Sequence, residues 1–248
     1  PQVPYAYGDC HVHLDQVAAV VEDDRPLATV GLPKIDEVEK AIGGHVADMI
    51  PDGATLQIGY GAIPDAVVMQ LTGRTDLNIH TEMIGDGILS LIESGAVTNR
   101  GKSVKPGVSL ATFALGSERL YSWMHRNRGL EMHPVDFTND PAIAGANDLL
   151  HTINGTIEID FTGQCCSESI GYKPYSGTGG QSDFVRAGNR SRGGKSFIVL
   201  PSTAKGGTIS RITPTLKPGA FVSTSKNDVD HVVTCLLYTS DAADDSLR

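Results

Sequence analysis

The sequence predicts an α/β fold in which helices flank an open, mixed or parallel sheet. Glycine is abundant, with 28 among 248 residues, and aromatic residues are scarce at 6%. This composition favours tight strand-to-helix turns over a β-sandwich. Short buried apolar runs alternate along the chain with segments of helical periodicity, as βαβ units require. At 40% hydrophobic residues the chain can also build a sizeable core.

The first predicted elements follow an N-terminal segment rich in prolines and glycines. This segment, residues 1–33, is predicted to be extended and to connect rather than to fold. Residues 34–50 place apolar side chains at helical spacing and predict a helix. Residues 55–58 predict a buried strand, which leads through the Gly59-Tyr60-Gly61 turn into a helix over residues 64–71.

Alternating candidates continue to residue 234. Residues 78–81 predict a strand and residues 84–94 a helix. Further strands are predicted over residues 109–114, 131–134, 156–161, 196–200, 221–223 and 229–234. Residues 235–248 have neither helical periodicity nor turn chemistry that continues the last strand, and they resemble translated sequencing-adapter DNA. We therefore predict that this tail is not native.

Composition argues against several classes of protein. The formal net charge of -9 and the pI near 5.3 disfavour a nucleic-acid surface, which needs clustered Lys and Arg. No apolar run approaches the roughly 20 residues of a membrane helix. The four cysteines, Cys10, Cys165, Cys166 and Cys235, show no disulfide framework. We expect a cytoplasmic protein with reduced thiols.

Two stretches could carry chemistry at the carboxyl ends of strands, where open α/β sheets bind ligands. Glu82 follows the strand over residues 78–81, where a carboxylate can attack an activated carbonyl, although such a glutamate is more often a helix-start residue. The Gly59-Tyr60-Gly61 turn can bring backbone N–H groups to an oxyanion, although most such glycines serve turn geometry.

Further glycine-rich stretches predict backbone donors around a long anion. They cover residues 175–184, 193–195 and 202–207, with Lys195 or Lys205 available for a phosphate. By contrast, His11 and His13 imitate the His-x-His pair of metal amidohydrolases, but the other histidines show no partner spacing. Chance explains this pair better, and we predict no metal.

Several motifs in order resemble the acetyl-CoA hydrolase/transferase family, and within it the 4-hydroxybutyrate CoA-transferases. Four of them are Ile79-His80-Thr81-Glu82-Met83, Met132-His133-Pro134-Val135-Asp136, Gly179-Gly180-Gln181-Ser182-Asp183-Phe184 and Pro201-Ser202-Thr203-Ala204. The resemblance runs from about residue 3 to residue 234. It implies a NagB/RpiA-like C-terminal catalytic domain over residues 34–234, and it marks residues 1–33 as a linker and the end of a missing first half.

The resemblance also implies an acyl-CoA:carboxylate CoA-transferase of the 4-hydroxybutyrate/acetate type, acting through a covalent glutamyl-CoA thioester on Glu82. Backbone N–H groups would stabilise oxyanions at Gly59, Tyr60, Gly61, Gly179 and Gly180. Gly180, Lys205 and the main chain near Ile157 would line the CoA site.

Coenzyme A would be a substrate, with no other cofactor, and the second substrate would be a small carboxylate. The full-length protein would be a homodimer, and this part alone could be inactive. Three alternatives stay open: an acetyl-CoA hydrolase that uses the same glutamate, a non-catalytic CoA-binding fragment, and, less favoured, a metal amidohydrolase.

Overall fold

A computed structural model describes residues 3–236 in full and the backbone of residues 238–240. The helices are α1 (Glu37–Asp48), α2 (Ala62–Gln70), α3 (Asp86–Glu93), α4 (Glu118–Met124), α5 (Val135–Thr138), α6 (Pro141–Ala144) and α7 (Gln181–Arg190), with a 3-10 turn at Leu14–Gln16. The strands are β1 (Tyr7–Gly8), β2 (Thr55–Ile58), β3 (Asn78–Ile79), β4 (Met83–Ile84), β5 (Ser109–Ala111), β6 (Phe113–Ala114), β7 (Leu130–Met132), β8 (Leu150–Gly155), β9 (Glu158–Asp160), β10 (Cys165–Cys166), β11 (Ser169–Ile170), β12 (Lys173–Pro174), β13 (Lys195–Val199), β14 (Thr203–Ala204), β15 (Ile209–Ser210), β16 (Ile212–Thr213), β17 (His231–Val233) and β18 (Tyr238–Ser240).

Six strands form the central sheet, in the order β18-β17-β13-β8-β2-β3. The strands from β17 to β3 run parallel, and β18 pairs antiparallel with β17 at one edge. In this register Leu56 lies opposite His151, and Phe197 lies between Ile153 and His231. The predicted open, mixed sheet flanked by helices is confirmed.

Both faces of this sheet are covered, because successive residues of a strand point to opposite sides. In β13, Phe197 and Val199 pack into the main core, which also contains the buried residues of α1 and α2. Ile198 points the other way and packs with Val185 of α7. The first face is therefore closed by α1 and α2, and the second by α7.

The helix α1 shows why its sequence begins a helix at this point. The Asp36 carboxylate accepts a hydrogen bond from the Glu39 N–H at 3.0 Å, and the Glu39 carboxylate accepts one from the Asp36 N–H at 2.8 Å. This reciprocal capping satisfies two backbone donors that the first turn leaves unpaired. The helix then buries Ile42 and Val46 completely, as the apolar spacing predicts.

A second group of parallel strands extends the main sheet beyond β3. The strands β1, β7 and β5 pair in that order, β4 pairs with β6, and a bridge between His80 and Leu110 joins β3 to β5. The predicted strand over residues 109–114 is interrupted at Thr112. Its N–H and that of Phe113 both donate to the Glu82 carbonyl, at 2.8 and 3.0 Å. This interruption fixes the backbone of Glu82.

Most predicted elements are confirmed, with ends that differ by a few residues. The predicted helices appear as α1, α2 and α3, and the strands over residues 55–58, 131–134, 196–200 and 229–234 appear as β2, β7, β13 and β17. The strand over residues 78–81 is confirmed only for Asn78–Ile79. Residues 221–223 are not a strand in the described chain, and Phe221 and Val222 are exposed.

The predicted strand over residues 156–161 is confirmed only for Glu158–Asp160, which forms β9. The prediction missed the longer central strand β8, which lies just before it. Sequence periodicity misses β8 because His151, Thr152 and Asn154 are polar, although all three are buried. Sequence analysis also misses α7, because the glycine-rich residues before it favour a loop.

The predicted domain limits lie near the two ends of the chain, after residues 33 and 234. Residues 3–33 are mostly exposed, but β1 pairs with β7, and the Val30 N–H donates to the Gly116 carbonyl at 3.0 Å. Most of the predicted non-native tail, residues 235–248, lies outside the described residues, so the domain limits stay predictions. Within the described part of the chain, no helix has both the length and the apolar character to cross a membrane.

Candidate active site

A cleft of about 420 Å³ opens at the carboxyl ends of β2 and β8. Four segments supply most of its lining: residues 57–60 at the end of β2, residues 82–83 after β3, residues 154–155 at the end of β8, and residues 176–182 at the head of α7. Four further residues complete it: Phe113, Ser167, Glu168 and Ser223. Parallel strands bring these segments to one edge of the sheet, where α/β folds bind ligands.

Glu82 lies in this cleft and is half-buried. Its backbone is held by the bonds from Thr112 and Phe113, and the Thr81 side chain ties the same turn to β2 by accepting the Ile58 N–H at 3.2 Å. Its carboxylate oxygen Oε2 accepts the Gly180 N–H at 3.1 Å. The carboxylate is thus oriented by a backbone donor while its cleft side stays open.

Gly180 heads the ten-residue helix α7 and is itself buried. A Cβ atom at this position would lie 2.4 Å from Glu82 Oε2 and 2.4 Å from Asn139 Nδ2. Only glycine allows the backbone to come this close to the carboxylate. The partial positive charge at the helix N-terminus further favours an anion here.

Asn139 is a site residue that sequence analysis missed. Its side chain is 5% exposed, its Nδ2 adjoins the same point beside Gly180 as Glu82 Oε2, and its Oδ1 finds no partner among the described residues. A buried amide with unused hydrogen-bonding capacity is uncommon in structural roles. The available signal was position, since Asn139 lies three residues after the 132–136 motif and directly after α5.

Gly59 and Tyr60 of the predicted glycine turn line the cleft, and Gly61 lies next to them, with one correction to the prediction. The Gly59 N–H donates to the Ile153 carbonyl at 2.8 Å, so it is already paired within the sheet and cannot serve as an oxyanion donor. Among the described residues, the Tyr60 and Gly61 N–H groups have no backbone acceptor. Gly61 has a φ of 130°, which a side chain would strain.

A smaller hollow adjoins the cleft and shares Gly59, Tyr60 and Met83 with it. Gly61 and Asp65 also line this hollow. Burial, reinforced by the nearby charge of Asp86, raises the pKa of the Asp65 carboxyl to about 6.

The floor of the cleft contains a second feature that the sequence did not indicate. The Gln57 and Asn154 side chains exchange two amide hydrogen bonds, of 3.2 and 3.0 Å, although they are 97 residues apart in the chain. Both side chains are nearly fully buried. This mutual pairing satisfies polar groups that would otherwise be costly to bury, and it ties β2 to β8 below Glu82.

Two predicted ligand residues are not in the cleft lining. The Ile157 N–H donates to the Cys166 carbonyl at 2.9 Å, and Lys205 is exposed, with a φ of 49°, in the turn between β14 and β15. Lys195 begins β13 and therefore lies at the amino edge of the sheet, away from the cleft. Of the predicted residues, the structure brings together Gly59, Tyr60, Glu82, Gly179 and Gly180, with Gly61 next to them.

The histidine pair near the N-terminus has local partners. His13 Nδ1 accepts the Asp15 N–H at 3.3 Å, and His11 Nδ1 lies 3.8 Å from Cys10 Sγ. Both histidines are exposed. Over the described residues, no group of three or more His, Cys, Asp or Glu side chains could hold a metal ion.

The chain is similar in sequence to known CoA transferases. The family model "Acetyl-CoA hydrolase/transferase C-terminal domain" matches residues 116–235. A succinyl-CoA:cyclohexane-1-carboxylate CoA transferase of Geobacter metallireducens is 54% identical over 94% of this chain and 54% of its own length. The chain belongs to the acetyl-CoA hydrolase/transferase family. A second family member, the 4-hydroxybutyrate coenzyme A transferase of Clostridium kluyveri, is 47% identical over 94% of this chain and 54% of its own.

Solved structures of this family have the same fold. RipA from Yersinia pestis superposes with a TM-score of 0.90 at 39% identity, covering 96% of this chain and 54% of that one. A 4-hydroxybutyrate CoA-transferase from Porphyromonas gingivalis superposes with a TM-score of 0.83 at 38% identity, covering 97% and 56%. The chain thus spans about half the length of the relatives that it matches.

Proposed function

We propose that this chain carries the nucleophile of an acyl-CoA:carboxylate CoA-transferase and that Glu82 is this nucleophile. The supporting observation is the Glu82 carboxylate, which lies in the cleft with the Gly180 N–H at 3.1 Å from its Oε2. Transfer to a carboxylate is favoured over hydrolysis, because the relatives named CoA transferases reach 54 and 47% identity. The relatives named acetyl-CoA hydrolases are 25–26% identical.

The first half of the reaction makes a covalent intermediate on Glu82. A carboxylate oxygen of Glu82 attacks the thioester carbonyl of the donor, the C–S bond breaks, and a mixed anhydride and CoA thiolate form. The thiolate then attacks the glutamyl carbonyl carbon of the anhydride. The donor leaves as a carboxylate, and a glutamyl-CoA thioester remains.

The second half reverses these steps with another acid. The acceptor carboxylate attacks the glutamyl thioester and releases the thiolate, which then attacks the acceptor carbonyl of the new anhydride. Acyl-CoA leaves and the Glu82 carboxylate is restored. No proton is gained or lost overall, so these steps need no general acid or base beside Glu82, whose Oε2 accepts the Gly180 N–H.

The donor at Glu82 Oε2 fits the steps at the glutamyl carbon. Attack on this carbon places a developing negative charge on Oε2, where the Gly180 N–H already donates, and the Asn139 amide lies beside the same glycine. Removing one such donor typically costs about 10²–10³ in rate, or roughly 2.7–4 kcal/mol. The Tyr60 N–H in the cleft lining and the Gly61 N–H next to it are candidates for the oxyanion at the acyl carbon.

The proposed substrates are an acyl-CoA, with coenzyme A as carrier, and a small carboxylate. The names of the relatives support a 4-hydroxybutyrate, cyclohexane-1-carboxylate or similar short acid as the acyl group. The homodimer implied by the family resemblance stays a prediction.

An exchange assay tests this function. Acetyl-CoA is incubated with labelled butyrate and the protein, and labelled butyryl-CoA is measured. Because the relatives are about twice as long, we would test this chain alone and joined to the remaining part of the Geobacter relative. Butyryl-CoA formation that Glu82→Gln abolishes supports the proposal. Acetyl-CoA loss without butyryl-CoA would indicate hydrolysis, and binding without turnover in both forms would indicate a non-catalytic module.

A further inference from the structure

A buried imidazole lies directly behind the proposed nucleophile. His80 is two residues before Glu82 and is 0% exposed. Its Nε2 is 2.8 Å from the Thr138 carbonyl, and its Nδ1 is 3.1 Å from Asn147 Nδ2. The reaction steps given above do not use this ring.

The hydrogen bonds define the tautomer of His80. Asn147 Oδ1 accepts the Val104 N–H at 3.0 Å, which directs the Asn147 amide NH₂ toward His80. The imidazole Nδ1 must therefore accept, and Nε2 must carry the proton that is donated to the Thr138 carbonyl. Burial lowers the pKa of His80 to about 4, so the ring is neutral at neutral pH.

Two neighbours of the ring connect it to Gly180. Thr138 immediately precedes Asn139, and both Asn139 Nδ2 and Glu82 Oε2 border the point where a Cβ on Gly180 would lie. The His80 ring also packs edge-on against Phe184, with ring centroids 6.4 Å apart. Phe184 belongs to α7, the helix that Gly180 heads. One rigid ring therefore contacts both the turn that carries Asn139 and the helix whose first N–H donates to the carboxylate.

We propose that His80 is a positioning residue for Glu82: by holding the Thr138–Asn139 turn and α7, it keeps the Gly180 N–H at Glu82 Oε2 and the Asn139 amide beside Gly180. This inference rests on the proposed function, since it assigns His80 a role in the same site. A misplacement of about 1 Å at such a site can lower the rate about 10²-fold. A histidine that merely fills the core would affect stability without this loss.

Two substitutions and a matched control test this role. His80→Leu keeps the volume but removes the bond to Thr138, whereas His80→Gln can still donate to that carbonyl. His151→Leu is the control, because His151 is also buried, at 1% exposed, but bonds to the Leu149 carbonyl at the other end of β8 from the cleft. The readout is the rate at which acetyl-CoA forms an adduct on Glu82, trapped with borohydride and measured by mass spectrometry.

We expect His80→Leu to slow adduct formation about 10–100-fold at saturating acetyl-CoA, with less than a threefold change in the half-saturating concentration. His80→Gln should recover most of the wild-type rate of adduct formation. His151→Leu should keep this rate within twofold of wild type, even where its melting temperature falls as much as that of His80→Leu. Equal slowing by His80→Leu and His151→Leu, in proportion to lost stability, would overturn the proposal.

A second measurement tests the positioning role of His80 without relying on the reaction. In ¹⁵N-labelled protein without ligand, His80→Leu should shift the Gly180 backbone amide and the Asn139 side-chain amide signals and speed their hydrogen exchange at least tenfold. His151→Leu should leave both unchanged. If the wild-type protein forms no adduct, the proposed function fails, and the positioning role of His80 is then judged from these two amide signals alone. Unchanged signals in His80→Leu contradict the positioning role.

Discussion

Replacing Gly180 by alanine should disable the site while leaving the fold intact. The backbone at Gly180, with φ -90° and ψ 8°, is open to alanine. The added Cβ, however, would lie 2.4 Å from Glu82 Oε2 and 2.4 Å from Asn139 Nδ2. Both groups must move by about 0.7–1 Å to reach ordinary contact, which stretches the 3.1 Å bond from the Gly180 N–H beyond hydrogen-bonding range.

Losing this donor alone should lower the rate of adduct formation about 10²–10³-fold, and the displaced carboxylate should lower it further. Stopped incubation with acetyl-CoA, followed by mass spectrometry of the intact protein, measures this rate. Gly73→Ala is the matched control, because its Cβ would meet nothing within 4 Å. A Gly180→Ala variant that reacts as fast as Gly73→Ala would refute the placement of Gly180 at the nucleophile.

Three further predictions concern the nucleophile, the cleft floor and the adjoining hollow. Glu82→Gln should abolish adduct formation yet retain CoA binding by calorimetry; an adduct in this variant would contradict the nucleophile. Gln57→Leu should lower the free energy of unfolding by about 1–3 kcal/mol, because it leaves the Asn154 amide buried and unpaired. In urea unfolding, the double variant Gln57→Leu/Asn154→Leu should lose less free energy of unfolding than the two single variants lose together. Additive losses would contradict the pairing of the two amides. The Asp65 pKa is raised from 3.8 to about 6, so its ionisation destabilises the fold as the pH rises through that window. Asp65→Asn should accordingly raise the melting temperature at pH 8 but not at pH 4, and an equal gain at both would contradict the raised pKa.

The alternation of strands and helices was predictable because most of the buried elements are apolar. The periodicity of residues 34–50 and the run over residues 55–58 identify α1 and β2 without further information. The strand β8 could not be identified this way, because the partner that makes the Asn154 amide tolerable in the core is Gln57, 97 residues away. Such long-range pairing leaves no trace in a local window.

The candidate site was predictable only in part for a related reason. Glu82 and the glycine turn follow strands, so position along the chain indicates that they meet at one edge of the sheet. That Gly180 donates to Glu82 could not be inferred from spacing, since a glycine-rich stretch is as compatible with a loop as with the head of a helix. Asn139 reaches its position beside Gly180 only through long-range packing. The Gly59 N–H is likewise paired by a residue distant in the chain, Ile153.

The most direct test of the account is to locate the covalent intermediate. The protein, alone and joined to the remaining part of the Geobacter relative, is incubated with acetyl-CoA and reduced with borohydride, which converts a glutamyl thioester to an alcohol. Peptide mass spectrometry then identifies the altered residue. We expect reduction at Glu82 and nowhere else. An unmodified Glu82 peptide in protein that demonstrably turns over acetyl-CoA would contradict Glu82 as the nucleophile.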